Sequence, residues 1–428
     1  MNLDFAAWSP HPQRHALLDE VHARPFRPAT TPTRFLRFAF LTTPEQTTTT
    51  RERVAQLCVA AGAVPPGTMT KHHRVTLPGV GGLPLDMTYE QHGEFVTFDF
   101  SFDGSHEPFA PAAGQIAHLL PDIGEPGRHI VSVDLSLVPD SVDFASAFDP
   151  TSLAASRVRG GAAVIASDFR PDSAGFVRWL VVNTGLDDNA AGAVCQRVIE
   201  IETYRTLALL GLPEATRLSL PTARIEKELA EISAGMSVSE GTAGDTAVLL
   251  RLTQLAADLE ADVAASSFRF AATRAYDGIV TERLRAVGEE GIGNYPTVTS
   301  FLTRRSAPAM RTCRALEARQ SDLSKKLARS ANLLRTRVDV AIEQQNSELL
   351  SAMNKRSSTQ LRLQQTVEGL SVAAISYYVV SLFTYIFKAM ADAGWPIDPT
   401  LATGLSVPVV LLGIWFLVRR IRRKHSDS

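Results

Sequence analysis

Residues 369–418 read GLSVAAISYYVVSLFTYIFKAMADAGWPIDPTLATGLSVPVVLLGIWFLV. Two uncharged runs, 369–387 and 399–418, flank a short link, and Trp395 and Trp415 lie near their ends. Each run is about 20 residues long, so as an α-helix it extends about 30 Å, the thickness of a bilayer's hydrocarbon core. Paired buried helices of a soluble protein are the alternative. The stretch predicts a transmembrane hairpin, with the lipid bilayer as a partner.

The distribution of Lys and Arg around the hairpin predicts its orientation. The link carries one cation and two acids, whereas the tail 419–428 contains RRIRRK. Lys355, Arg356 and Arg362 precede the first run. Because Lys and Arg are enriched on cytoplasmic flanks, both termini are expected in the cytoplasm of a multi-pass protein of the bacterial inner membrane. The first 20 residues lack a basic segment followed by an apolar one, so no cleaved export signal is expected.

A long helix is predicted to lead into the hairpin, because residues 309–368 contain neither proline nor glycine. One stripe of this stalk repeats at spacings of 4, 4 and 3 residues, a period that favours straight or slightly right-handed packing. A single helix cannot bury such a stripe, so partner helices from the same chain or from other subunits are expected. The stripe consists of Leu323, Leu327, Ala331, Leu334, Val338, Ile342, Gln345, Leu349 and Met353.

Polar residues within and after the first run allow two interpretations. Tyr377, Ser381 and Thr384 share one helical face. Such side chains commonly hydrogen-bond a neighbouring helix or their own backbone, or they line a hydrated path at the centre of a helical ring. Under the second interpretation, Asp392 and Asp398 would ring the outer mouth.

The first 187 residues alternate strand and helix signals. EFVTFDFSF, residues 94–102, reads as a strand, and Thr43 and Pro44 start a helix that Gly62 ends. An α/β or α+β cytoplasmic domain is therefore predicted over 1–187.

A helical region is predicted over 188–308, between this domain and the stalk. Its first helix is expected to have Asp188 or Asn189 as its cap and to end at Gly211 and Pro213.

Composition excludes several classes of function. The net charge of −2 does not indicate nucleic-acid binding, and three dispersed cysteines indicate neither a disulfide framework nor a zinc knuckle. No phosphate-binding loop and no recognisable catalytic set occurs, so no cofactor and no enzymatic activity are predicted.

Three further motifs carry candidate site residues. His22, Arg24 and Phe26 alternate in HARPF, which suits either anion binding or a structural ion pair. In YEQHGEF, Glu90, His92 and Glu94 are predicted to share one face of a strand, which suits either a metal site or an exposed polar set. In QRVIEIETYR, Arg197 precedes Glu200 by three residues and Glu202 precedes Arg205 by three, which suits helix-surface pairs that need other partners if the helix is buried. The candidates in the last two motifs are Glu90, His92, Glu94, Glu200, Glu202, Tyr204 and Arg205.

These motifs, together with HPQRHALLDEVHARPF and QLRLQQTVEGLSVAAISYYVVSLFTYIFKA, resemble an uncharacterised bacterial family of predicted membrane-anchored proteins. The order of cytoplasmic domain, stalk, two spans and basic tail is similar to that of CorA-type magnesium channels. That resemblance implies a homo-oligomer whose first span lines the pore for a divalent cation. CorA-type channels carry Gly-Met-Asn after the first span, where FKAMADAGWPID stands here.

Two functional hypotheses follow. The first is a CorA-like homo-oligomer in the inner membrane that conducts cations along its first span. The second is a membrane-tethered cytoplasmic scaffold or sensor without transport. The first hypothesis predicts that Tyr377, Ser381 and Thr384 converge on a symmetry axis. The second predicts that they face a contact between two helices.

Overall fold

A mixed β-sheet forms the N-terminal part of the protein in a computed structural model, which describes residues 9, 11–14, 18, 26–67, 70–78, 84–116, 120–235 and 242–426. In this part of the chain the sheet has nine strands in the order β2-β3-β4-β1-β5-β8-β7-β6-β9. The β5–β8 pair is parallel and the other pairs are antiparallel. The strands are β1 Thr33–Leu41, β2 His72–Pro78, β3 Pro84–Gln91, β4 Phe95–Asp103, β5 Arg128–Pro139, β6 Ala154–Val158, β7 Ala163–Ser167, β8 Val177–Asn183 and β9 Glu290–Gly291.

The α-helices of the described residues are α1 Pro44–Ala60, α2 Ala113–Ile116, α3 Asp188–Leu209, α4 Gly211–Gly235, α5 Thr242–Val287, α6 Val298–Asp392 and α7 Pro399–Ser426. The chain packs as two units, one of residues 1–237 with 251–330 and one of 238–250 with 331–428. The sheet lies in the first unit, and both long apolar segments lie in the second. The predicted order of a mixed α and β domain, a long helix and a C-terminal apolar helix is confirmed.

Local signals set the bounds of α1. Thr43 is its N-cap and forms a capping box with Gln46, and Pro44 occupies the first turn. The helix ends before Gly62, whose φ of 72° lies in the left-handed region that glycine adopts without strain. Both predicted signals for this helix are confirmed.

The sheet buries a different apolar cluster on each face. Strand residues at alternate positions, such as Leu36 and Met87, pack with Val54 and Cys58 of α1. The opposite face packs around Val133 with residues of α3. Because the sheet is covered on both faces, polar residues on its strands are buried and need partners within the protein.

The N-cap of α3 differs from the prediction by one residue. Asp187, rather than Asp188 or Asn189, caps the helix by accepting a hydrogen bond from the Ala190 amide (2.7 Å). The predicted end at Gly211 is confirmed, since α3 ends at Leu209, and a new helix, α4, begins at Gly211 itself. A Cβ at Gly211 would lie 2.4 Å from Thr273 Oγ1, so this glycine permits close packing against α5.

The helix predicted over 309–368 is part of the 95-residue helix α6, which contains Pro308 and continues to Asp392. Its stripe is buried at Leu323, Leu327 and Leu334, which are at most 2% exposed. Every residue from 342 to 367 is exposed. The part of the stripe from Ile342 to Met353 therefore has no partner within this chain among the described residues.

Candidate functional site

A buried polar cluster occupies the α3-facing side of the sheet near its β2 edge, with Glu90 of β3 at its centre. Glu90 is 8% exposed. Its Oε1 lies 2.9 Å from His72 Nδ1 on β2, and its Oε2 lies 3.6 Å from His92 Nε2. Strand register places His72 directly opposite Glu90. A buried carboxylate thus has an imidazole on each side.

Arg37 of β1 extends the cluster across two more strands. It pairs in register with Asp99 of β4 and donates to both of its carboxylate oxygens. Its Nη2 also lies 3.9 Å from Glu90 Oε2. Although burial by itself lowers the pKa of Arg37, the charges of Asp99 and Glu90 outweigh burial and raise it. Arg37 is therefore a permanent cation between two carboxylates.

Glu90 is held in its charged form. Burial alone would raise its pKa, but the close contacts with His72 and His92 and the charge of Arg37 outweigh it, and the pKa lies far below its ordinary value. The contacts that stabilise the carboxylate are thus lost when it is protonated.

This depressed pKa predicts an acid sensitivity that depends on Glu90. A group with a lowered folded-state pKa stabilises the fold above its unfolded value, here about 4.5, and this contribution is lost as the pH falls below that value. We expect the urea midpoint of the wild type to fall more steeply below pH 4.5 than that of Glu90→Gln. Parallel pH profiles of the two proteins would contradict this role.

Of the three residues predicted on one strand, only Glu90 lies in a strand, although His92 still contacts Glu90. His92 and Glu94 lie in the turn between β3 and β4, because β3 ends at Gln91. The His92 ring stacks on Phe95 with centroids 4.1 Å apart. Glu94 turns to α5, where it accepts hydrogen bonds from Arg269 and from Tyr276 (2.8 Å).

The described residues contain no group of three or more His, Cys, Asp or Glu side chains arranged to hold a metal ion. The metal interpretation of this motif therefore has no geometric support.

Two residues of α3 join the same region. The Tyr204 ring lies edge-on to His92, with centroids 6.4 Å apart. Glu200 accepts from Gln196 (3.0 Å) and from Arg283 of α5. The fold thus brings together two motifs that are about 100 residues apart in the sequence, YEQHGEF and the centre of QRVIEIETYR.

The other two candidates of α3 face β8. Arg205 pairs with Glu202 as its spacing predicts, and Nε donates over 2.8 Å. Glu202 is 1% exposed and also accepts from Trp179 Nε1 (3.2 Å). The buried charge therefore has partners on its own helix and in the sheet, as expected.

The N-terminal motif is only partly visible. His22 and Arg24 lie outside the described residues. Phe26 is 44% exposed, and Arg197 of α3 lies over its ring at 4.8 Å. The expected pair of Arg197 with Glu200 is not made, since Glu200 is held by Gln196 and Arg283.

Several cluster residues could not be identified from the sequence. Arg37 and Asp99 are single charged residues among apolar neighbours of their strands, and His72 is one residue of the run KHHR, so no motif marks any of the three. A second buried pair, Arg34 with Asp134, lies on the opposite face of the sheet, with Arg34 Nε 2.9 Å from Asp134 Oδ1. The only signal was the presence of charged residues in otherwise apolar strands, which predicts a partner but does not identify it.

The apolar segments form the second candidate site. Within 369–387, all of which is described, Ser376 is the one buried residue, at 4% exposure, whereas Tyr377 is 72% exposed. Thr384 is also exposed and Ser381 is half-buried. Both α6 and α7 contain a segment long and apolar enough to cross a membrane.

The two acids predicted at the outer mouth have different positions. Asp392 is the last residue of α6. Asp398 precedes α7 and accepts from the amides of Thr400 (2.9 Å) and Leu401 (3.4 Å), which lowers its pKa. Capping α7 accounts for Asp398 without a role in ion binding.

The fold and these sites define a protein with a mixed-sheet N-terminal domain, a very long helix and a C-terminal apolar helix. The chain belongs to the family described as protein of unknown function (DUF3422), whose profile matches residues 9–425. No match to the chain was found among curated proteins or among solved structures.

Proposed function

We propose that this protein is a homo-oligomer of the bacterial inner membrane whose first membrane helix lines a path for cations. The observation that carries the proposal is helix α6, which continues without a break from the sheet domain through a segment able to span a bilayer.

The exposed stripe of α6 supports self-association. Ile342, Leu349 and Met353 are 45%, 58% and 66% exposed, and they continue the same stripe that is buried at Leu334. A stripe that is apolar along a single helix is stabilised when other helices cover it. A second copy presents the same stripe at the same distance from the membrane, so helices related by rotational symmetry can cover one another.

The hairpin supports a multi-pass arrangement with both termini in the cytoplasm. The link between α6 and α7 is short, at residues 393–398, which favours antiparallel neighbours. Ser376 and Val410 are the buried residues of the two apolar segments 369–387 and 399–418. The basic clusters then lie on one side of the bilayer.

The exposure of Tyr377 and Thr384 favours a path over a contact between the two helices of one chain. A contact within the hairpin would bury them, but Ser376 is the residue that is buried. Two helices cannot enclose water, so a path requires several subunits around an axis. The proposed cargo is a divalent cation, as the architectural resemblance to CorA-type channels suggests.

Substituted cysteines test the path directly. The three native cysteines are buried, so a cysteine introduced at Tyr377 is the accessible thiol. In liposomes, we expect a membrane-impermeant cationic thiol reagent to block Mg²⁺ or Co²⁺ flux through Tyr377→Cys. Tyr378→Cys is the matched control, because Tyr378 is equally exposed, at 72%, but points about 100° away around the helix. Equal block of both variants would exclude this pore face.

A tethered scaffold or sensor is the second candidate, and the buried cluster around Glu90 favours it. Such a protein would show an oligomeric mass in detergent but no flux of Mg²⁺, Co²⁺, K⁺ or Na⁺ in liposomes. A monomeric mass would exclude the pore, since the path needs helices from several chains.

A further inference from the structure

The last helix, α7, is longer than the hydrocarbon core of a bilayer is thick. It has 28 residues, Pro399–Ser426, and so extends about 42 Å, whereas the core measures about 30 Å. The apolar run 399–418 is sufficient to cross that core. Residues 419–426 therefore continue beyond the hydrocarbon as part of the same helix.

This end of α7 carries a concentrated positive charge. Residues 419–426 read RRIRRKHS, with five cations, and no acidic residue occurs between Asp398 and Asp427. Arg419 and Arg420 are exposed, and neither forms an ion pair with any of the described residues. Because the whole chain has a net charge of −2, the positive charge is a local feature of this helix end.

The contact between Arg419 and Trp415 indicates the depth of the cluster. The Arg419 guanidinium lies over the Trp415 ring, 4.9 Å from its centroid. Tryptophan is enriched where hydrocarbon meets headgroups, because its ring is apolar and its N–H is polar. Arg419 is therefore expected at the level of the lipid phosphates.

The part of α6 that enters the membrane adds to this charge. Arg362 is exposed and lies seven residues, about 10 Å, before the apolar run that begins at Gly369. Lys355 and Arg356 lie about two turns further from that run, and Glu368 is the one acid between Arg356 and the run. In the proposed hairpin, both basic segments face the same leaflet.

We propose that the cationic end of α7 binds the headgroups of anionic phospholipids and selects phosphatidylglycerol over zwitterionic phosphatidylcholine. Clusters of Lys and Arg beside a membrane helix attract anionic headgroups, and each cation contributes about fivefold to the affinity. Arginine also matches phosphate oxygens with paired hydrogen bonds. The inference rests on the proposed membrane location but requires neither conduction nor self-association.

Quenching of Trp415 fluorescence by brominated lipids tests this selection. The full-length protein with Trp8→Phe and Trp395→Phe is reconstituted in phosphatidylcholine vesicles with increasing fractions of brominated phosphatidylglycerol or of brominated phosphatidylcholine. Trp415 then reports the neighbouring lipids, because the remaining tryptophan, Trp179, is fully buried in the sheet domain. We expect a preference for phosphatidylglycerol of about tenfold or more in 0.1 M salt, and little preference in 1 M salt.

Replacing two of the five cations should weaken the preference. Arg419→Gln with Arg420→Gln is expected to reduce it about fivefold or more. Three cations remain in the tail, so the orientation of the hairpin is expected to be unchanged.

Arg329→Gln with Arg335→Gln is the matched control. Both arginines are exposed on α6 but lie at least 34 residues, about 50 Å, from the apolar run, far beyond the screening length of about 10 Å. This variant should keep the wild-type preference. Equal loss of preference in the two double variants would overturn the proposal.

Two outcomes in the protein with all five cations separate this proposal from the proposed function. Equal quenching of Trp415 by the two brominated lipids would overturn lipid selection but leave the membrane location intact. Quenching by neither lipid would mean that α7 does not enter the bilayer, which would overturn both the lipid site and the proposed function.

Discussion

Replacing Arg37 by methionine is expected to lower the free energy of unfolding by about 3–5 kcal/mol, because it leaves a buried carboxylate without its cation. Arg37 is 5% exposed and is the ion-pair partner of Asp99 and a neighbour of Glu90. The methionine side chain fills much of the space but supplies neither charge nor donors. The measurement is the urea midpoint of the full-length protein in detergent, followed by far-ultraviolet circular dichroism.

The double variant Arg37→Met with Asp99→Leu separates charge from packing. Removing both members of a buried pair costs less than removing one, because the only carboxylate then left without Arg37 is Glu90, which His72 and His92 still contact. We expect the double variant to recover much of the lost stability. Arg170→Met is the control for loss of an exposed arginine, since Arg170 is 60% exposed in its pair with Asp149. A midpoint unchanged by Arg37→Met would mean that water reaches the cluster.

Introducing glutamate at Leu349 and Met353 together is expected to convert the oligomer largely to monomer. Each apolar side chain contributes about 1.5–3 kcal/mol to the free energy of association when the contact buries it fully, and every subunit adds the same contribution. Both residues are more than half exposed in the single chain. Their replacement should therefore leave the fold of one chain intact and weaken only contacts between chains. The measurement is the mass of the detergent-solubilised protein across a dilution series.

Ser351→Glu is the matched control for this experiment. It adds a charge to the same exposed part of α6 but points about 160° away from both stripe residues. We expect the control to remain oligomeric with an unchanged dilution profile. If Ser351→Glu dissociates the protein as effectively as the stripe variant, the contact does not run along the predicted stripe.

The sequence by itself determined those features that depend only on residues close together along the chain. The capping box at Thr43 and the left-handed Gly62 set the bounds of α1, since both act through neighbouring backbone groups. The spacing of Glu202 and Arg205 on one helix predicted their ion pair, whereas the same spacing of Arg197 and Glu200 gave no pair because Gln196 and Arg283 hold Glu200. The lengths of the two apolar runs were readable in the same way, because hydropathy is a property of consecutive residues.

Local signals did not show how the chain continues after an element. Gly211 and Pro213 correctly predicted the end of α3, but a second helix, α4, begins at Gly211 itself, where proline is tolerated in the first turn and Thr273 leaves no room for a side chain. His92 and Glu94 continued the alternation of a strand, but β3 ends at Gln91 and the chain turns there.

Only the tertiary structure decided which charges meet. Arg37 and Asp99 are 62 positions apart, and their contact depends on the pairing of β1 with β4 in a particular register. A shift of one residue would move every side chain of a strand to the other face, so no local pattern can specify such a pair. The sequence alone therefore determined a sheet domain, a long helix and two apolar runs. The buried polar cluster was decided by strand order and register.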